Sequence, residues 1–311
     1  HGPLDMLNTE GGRAAADFNR FLKTNEDLFI GTKRHTKTAI FWSKNTIDTF
    51  PEGSEKSDFT REITWETPYN YGNFQSEFRG IYDLLVRNHF DPAIIDELSM
   101  EDLSSFSLLI LPNVSCMSLE TAEKIRKFAE GGGNVIATMA TSFCNEKGTP
   151  YDQPALAEMF GIESVDRLYA TEKLGCVYLD VNDGLSKELR VPHIMAGFDK
   201  SFKNHYSAES NTIMEIFTPI EGNYSPMSRE KYPSIIETAC GKGSVLYISG
   251  NIGDMLCRFG IQDVKNLLKF FIEKYSERLF RVENAFDSME VTLRVQEVSG
   301  RMLMHFVNFT G

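Results

Sequence analysis

Apolar positions recur along this chain at two spacings, and the spacing predicts each element. Over residues 11–30 (GGRAAADFNRFLKTNEDLFI), Ala15, Phe18, Phe21 and Leu22 fall on one stripe at helical intervals. The short apolar run at 38–42 (TAIFW) predicts a buried strand. Residues 43–71 are polar and carry Pro51, Gly53 and Pro68, too long a stretch for a tight turn; they read as an excursion over one edge of a sheet. A regular alternation then begins. Residues 74–88 predict a helix with Phe78, Ile81, Tyr82 and Leu85 on one side, and 93–96 a short strand. SLLIL at 107–111 is a stronger strand, closed by Pro112 and Asn113. Ser118 is a good N-cap for a helix running to Glu130, Gly131-Gly132-Gly133 stops it, and NVIATM at 134–139 is the next strand. PALAEMF at 154–160 predicts one more short helix, ending at Gly161.

The order is less regular over 163–226, where 176–181 and 213–217 predict strands. Residues 234–239 and 244–249 flank Cys240-Gly241-Lys242-Gly243, a hairpin signal. Residues 250–253 read as a loop, and 261–275 as an amphipathic helix burying Val264, Leu267, Leu268 and Phe271. The pattern then changes. MEVTLRV at 289–295 and RMLMHFVNF at 301–309, around Ser299-Gly300, predict an antiparallel hairpin. Two strands bury no core of their own, so they belong to a β-sandwich completed elsewhere or pack back on the preceding domain.

Alternating strands and helices call for a parallel sheet covered on both faces. The predicted fold class is therefore α/β, Rossmann-like or flavodoxin-like, with a small C-terminal antiparallel β piece. The predicted divisions are an N-terminal helix and linker at 1–35, the α/β domain at 36–276 and the start of a β-sandwich at 277–311. In such folds ligands sit at the carboxyl ends of the strands. That places Trp42, Ser43, Pro112, Asn113, Thr141, Ser142, Gly250 and Asn251 at a candidate site.

Charge narrows the partners. The chain has 311 residues and a formal net charge of −12, which repels phosphates and anionic lipids, so neither nucleic acid nor membrane is an expected partner. No signal peptide opens the sequence, and no apolar run reaches the roughly 20 residues that span a bilayer. Cys116, Cys144, Cys176, Cys240 and Cys257 are scattered without CxxC spacing. That argues against a disulfide framework or a zinc site, and fits a reducing cytoplasm. His35, His89, His193, His205 and His305 lack ligand spacing, so no metal and no cofactor is expected. The first residue is His and the last strand-like run stops at the final residues, so the sequence reads as a piece of a larger polypeptide.

An amidase on this fold places Cys on a sharp strand-to-helix turn, with a His and a Glu after a later strand. Here the turn after 134–139 reads Ala140-Thr141-Ser142-Phe143-Cys144, with no flanking Gly and with Cys144 beyond the expected elbow. The later strand ends Tyr247-Ile248-Ser249-Gly250-Asn251, without His-x-Glu. The triad is therefore expected to be absent. Gly131-Gly132-Gly133 ends a helix and precedes a strand, the reverse of a phosphate loop, and Gly241-Lys242-Gly243 is a hairpin turn.

The stretch LLILPNVSCMSLETAEKIRKFAEGGGNVIATMATSFCNEKGTPYDQPALAEMFGI resembles the middle, trimerisation domain of family 42-type β-galactosidases, which has the class I glutamine amidotransferase fold. The matching order is strand–Pro, helix, triple glycine, strand, Thr-Ser. DFNRFLKTNEDLFIGTKRHTKTAIFWSKNT resembles the linker and first strand of that domain, and VTLRVQEVSGRMLMHFVNFTG the start of the C-terminal β-sandwich. The resemblance implies an N-terminal (β/α)8 barrel, outside this chain, that holds both catalytic carboxylates. It also implies a homo-oligomer, a trimer or dimer, and a carbohydrate as possible ligand.

Against that background Glu77, Arg79 and Glu146 line a sugar-facing cleft, or Glu77 simply favours a helix N-terminus and Glu146 is a solvated loop charge. Trp42, Trp65, Tyr69, Tyr71 and Phe74 cluster in sequence; aromatics suit both sugar stacking and protein interfaces. Trp65, Tyr69 and Tyr71 are taken as interface candidates, and Ser43, Asn113, Ser142, Glu146 and Asn251 as ligand-binding candidates. Three readings stay open: a non-catalytic assembly domain of a glycoside hydrolase, a standalone sugar-binding protein of the trehalose-utilisation type, and an amidase with an atypical nucleophile such as Ser142.

Overall fold

The structure, a computed structural model, describes residues 8–50, 73–100, 102–170, 177–217 and 230–309, the side chains of 167–170 excepted. Trp65, Tyr69, Tyr71 and Cys176 lie outside the described residues. The chain divides into two compact units, one drawn from His1–His35 with Ala285–Gly311, the other Thr36–Asn284.

The first unit opens with α1 (Glu10–Thr24), α2 (Glu26–Phe29) and β1 (Thr32–Arg34). The single helix expected over 11–30 is broken at Asn25, whose φ of −111° leaves the helical region and whose side chain bonds back to the Phe21 carbonyl. Thr9 caps α1 by accepting the Gly12 amide at 3.0 Å. No residue of α1 is buried. Its aromatic stripe continues into α2, with the Phe21 and Phe29 rings 6.2 Å apart.

The second unit holds β2 (Thr38–Phe41), α3 (Lys44–Thr49), α4 (Phe74–Arg87), β3 (Ala93–Ile95), β4 (Leu108–Leu111), α5 (Leu119–Glu130) and β5 (Asn134–Thr138). After these come β6 (Ile162–Ala170), β7 (Tyr178–Asp180), α6 (Asp183–Leu189), β8 (Ile194–Ala196), β9 (Lys200–Tyr206) and β10 (Asn211–Phe217). The unit closes with β11 (Lys231–Cys240), β12 (Gly243–Ile248), α7 (Ile252–Phe259) and α8 (Gln262–Tyr275). Nine strands form one sheet in the order β3-β2-β4-β5-β12-β11-β10-β7-β8, and β6 pairs with β9 apart from it.

The sheet is mixed, which corrects the expectation of a parallel one. Pairings from β3 to β12 are parallel, whereas β12-β11, β11-β10, β10-β7 and β7-β8 are antiparallel. The change begins at the hairpin at Cys240–Gly243, where Gly241 takes a φ of 59° and reverses the chain beside β12, and β10, β7 and β8 extend it with antiparallel pairings of their own. In the parallel half every residue of β2 and β4 is buried, as strands covered on both faces require.

Two further expectations fail for local reasons. Residues 154–160 form successive turns: the Ala155 and Leu156 amides donate to the carbonyl and hydroxyl of Ser142, and so small a segment nucleates a helix poorly. Residues 250–253, read as a loop, contain the start of α7. Gly253 serves there as a contact residue. A Cβ at Gly80 on α4 would sit 1.8 Å from the Gly253 carbonyl oxygen, and one at Gly253 would sit 2.2 Å from that of Glu77. Only two glycines let these backbones meet.

Returning to the first unit, β13 (Met289–Gln296) and β14 (Arg301–Asn308) form the expected hairpin, and β1 adds to it in the order β1-β13-β14. The paired residues Val291↔Phe306, Leu293↔Met304 and Val295↔Met302 share one apolar face. Val291 and Leu293 are buried, while Met302, Met304 and Phe306 are exposed.

Gly80→Ala is expected to destabilise the second unit by about 3 kcal/mol or more, since overpacking against fixed backbone has no soft side chain to displace. Urea denaturation checks this; a midpoint within error of the parent would refute the backbone contact.

Candidate functional site

The carboxyl ends of β2, β4, β5 and β12 bring together four of the five ligand candidates, and all four are buried. Ser43 caps α3, accepting the Thr46 amide at 3.1 Å, and its hydroxyl donates to Glu97 Oε1 at 2.9 Å. Glu97 also accepts the Lys44 and Asn45 amides, so its carboxylate sits at the positive end of α3. Asn113 takes a φ of 49°, and its Oδ1 accepts the Ala140 amide and the Ser115 hydroxyl, both at 3.1 Å. Ser142, with a φ of 68°, accepts the Leu156 amide at 3.1 Å. Asn251 accepts the Lys200 amide at 3.1 Å and donates to Asp254 at 2.9 Å and to Asp199. Each side chain thus satisfies a loop backbone that leaves the sheet with no regular partner. Glu146 stands apart from the four, exposed on the Asn145–Thr149 turn.

The sharp turn after β5 begins earlier than the sequence implied, and it leads into turns and not into a helix. The residue directly after β5 is Met139, fully buried, with a φ of 53°. Its amide bonds to the Ile248 carbonyl and its carbonyl accepts the Tyr247 hydroxyl at 2.6 Å, which lock the strained turn. A left-handed non-glycine residue after a strand is the geometry that exposes a nucleophile in hydrolases of α/β type. Here a thioether occupies that position and packs with Ala140, Phe143 and Phe202 in a small apolar cluster. Cys144 lies five residues later, buried beside Cys116, whose thiol is raised by its hydrogen bond to Cys144 and by burial. Among the described residues no group of three or more His, Cys, Asp and Glu is placed to hold a metal ion. None of the described helices is long and apolar enough to cross a membrane.

Residues 54–276, most of the sheet and its helices, match the family described as the beta-galactosidase trimerisation domain. This chain belongs to that family. Among curated proteins, beta-galactosidase GalA of Bacillus licheniformis is 38% identical over 88 residues, 25% of this chain and 13% of its own length. Beta-galactosidase GanA of Bacillus subtilis is 25% identical over 187 residues, 57% of this chain and 26% of its own. The solved beta-galactosidase of Bacillus circulans sp. alkalophilus superposes with a TM-score of 0.68 at 16% identity, over 97% of this chain and 44% of that one, a likeness of fold. The trimerisation-domain chain therefore spans a fraction of these proteins.

Within the trimerisation domain, one buried carboxylate was missed as such. Glu77 is fully buried where α4 meets α7; its Oε2 accepts the Asp254 amide at 2.8 Å, and its Oε1 has no hydrogen-bond partner among the described residues. The signal was present in the sequence. Glu77 lies three residues after Phe74 and four before Ile81, on the apolar stripe of α4, whereas Arg79 points out and is exposed. Burial pushes the Glu77 carboxyl up to about 7, against the pull of the Asp254 and Gly253 amides and with help from the Asp254 charge. Because Glu77 is fully buried where α4 meets α7, its raised pKa couples directly to stability.

The folded carboxyl holds its proton to higher pH than the unfolded one. Its stability is therefore complete below the ordinary value of 4.5 and is lost as pH rises through about 7. The loss should approach about 3 kcal/mol. Glu77→Gln should remove this slope between those two pH values. Denaturant titrations across that range check it, and parallel profiles for parent and variant would refute the assignment.

Proposed function

We propose that this trimerisation domain is the assembly module of a β-galactosidase-type glycoside hydrolase whose catalytic (β/α)8 barrel lies outside this chain. The observation that carries the reading is the family match over residues 54–276, joined to relatives named beta-galactosidases that extend well beyond the matched part. Hydrolysis by such an enzyme uses two carboxylates flanking the glycosidic bond, with retention when they stand close. Both are assigned to the barrel. The elbow supports a non-catalytic role here, since Met139 offers no nucleophile where an amidase would hold one.

The parallel half supports the finer fold reading. Its order β3-β2-β4-β5-β12, renumbered along the chain, is 2-1-3-4-5, the flavodoxin-like arrangement on which the glutamine amidotransferase-like comparison rests. Ser43, Asn113, Ser142 and Asn251 are read as staples of the strand-end loops, because their polar atoms bond to protein groups. Glu146, exposed on its turn, is the candidate to meet a carbohydrate held by an adjoining domain. Trp65, Tyr69 and Tyr71, within the matched region, remain the proposed intersubunit contacts. The scattered spacing of the cysteines, without CxxC pairs, supports a reducing compartment such as the cytoplasm.

Light scattering coupled to size exclusion tests the assembly role. The expected mass is three times the 35.2 kDa of one chain, stable on dilution, and Trp65→Ala should shift it toward monomer with unchanged thermal stability. A monomer at every concentration would show that these residues do not hold the assembly surface.

A further inference from the structure

We propose that Cys116 and Cys144 form a reversible internal disulfide that clips the loop after β4 to the loop after β5. The backbone sets the two residues opposite each other. The Cys144 amide donates to the Ser115 carbonyl and the Met117 amide donates to the Cys144 carbonyl, each at 2.9 Å, so Cys116 and Cys144 pair as an isolated parallel bridge. Bridge partners lie roughly 4.8 Å apart across neighbouring strands. That falls inside the window of about 4.4–6.8 Å between Cα atoms that a disulfide needs. Side chains of directly paired residues project to the same side.

Both residues are buried, which favours each as the other's partner over any external thiol in the finished bond. Cys240 sits on the distant β11–β12 hairpin and Cys257 on the exposed side of α7. Hydrogen bonds anchor the backbone on either side of Cys116. Thr46 of α3 accepts the Cys116 amide at 3.0 Å, and the Tyr151 hydroxyl donates to the Met117 carbonyl at 3.1 Å. Little backbone movement is therefore needed to close the bond.

The chemistry is thiol–disulfide exchange with a low-molecular-weight disulfide such as glutathione disulfide. One cysteine loses its proton and attacks a glutathione sulfur, releasing one glutathione thiolate and leaving a mixed disulfide. The second cysteine, deprotonated in turn, attacks the protein sulfur of that intermediate and expels the second glutathione. Two protein thiols are oxidised, one glutathione disulfide is reduced to two thiols, and two protons pass to solvent and the departing thiolates. The burial that shields the pair also holds the Cys116 proton, so exchange is slow until the strand-end loops open.

The test equilibrates the full chain in glutathione buffers of graded oxidised-to-reduced ratio, then acid-quenches, alkylates and maps peptides without reduction. A second arm refolds the chain from urea in the same buffers, so access to the buried thiols does not limit the result. The expected outcome is loss of two hydrogens, a Cys116–Cys144 linked peptide whose yield follows the ratio, and a melting temperature several degrees higher in the oxidised form. Cys144→Ser should abolish all three while leaving the reduced-form melting temperature close to the parent. Retention of both thiols in both arms would overturn the proposal. So would linkage through Cys176, Cys240 or Cys257, or a linked form no more stable than the reduced one.

Discussion

The arrangement beyond the end of β12 depends on how closely α4 and α7 approach. Gly80 and Gly253 remove the side chains that would hold the two helices apart, so the backbone of one lies against the backbone of the other. Three consequences follow from that contact. The Asp254 amide reaches the Glu77 carboxylate, Ser76 donates to Asp254 at 2.6 Å, and Asn251 is drawn into position to bond the Lys200 backbone. Arg258 then closes over Asp254 and Asp199 as an ion-paired lid on the same side. A residue larger than glycine at either site would separate the helices and release all of these bonds together.

The same economy governs the loops beyond β2, β4 and β5. In a catalytic α/β protein such loops present unsatisfied donors and a reactive side chain to a substrate. Here they present them to one another. Thr138 and Thr141 take the Asn113 and Val114 amides, Asn113 takes the Ala140 amide, and Ser142 takes the Leu156 amide. A strained elbow remains, but Met139 fills it with an apolar side chain and Tyr247 holds its carbonyl. The turn after β5 is thus closed by apolar packing and by a hydrogen bond within the protein.

Much of this was legible from the chain. Continuous apolar runs gave β2 and β4, because strands buried on both faces have no polar alternation to show. Ser118 and the triple glycine marked the ends of α5, since caps and left-handed turns are local chemistry. What escaped depended on distant partners. The helix α7 was hidden because its glycine, read as loop punctuation, is there for contact with α4. Residues 154–160 have helical composition, but Ser142 captures the first amides. The hairpin that turns the sheet antiparallel was legible, but the strands beyond it, β10, β7 and β8, fall in the irregular 163–226 segment, whose pattern did not order them. As for the site, strand ends named the right neighbourhood and four buried polar residues in it. The reading of Glu146 as a solvated loop charge agrees with its exposure. The strained turn at Met139 was not legible, because a positive φ on a non-glycine residue leaves no trace in sequence.

The strand β14 has a consequence for anyone handling this chain in solution. It forms one edge of its three-stranded sheet among the described residues, and Met302, Met304 and Phe306 are exposed along it. An edge with apolar side chains is a template for further strands. Two copies brought together at high concentration can pair through this strand, and because each offers the same surface the contact closes at two. Self-association at this edge therefore stops at a stoichiometry different from that of a closed ring of three.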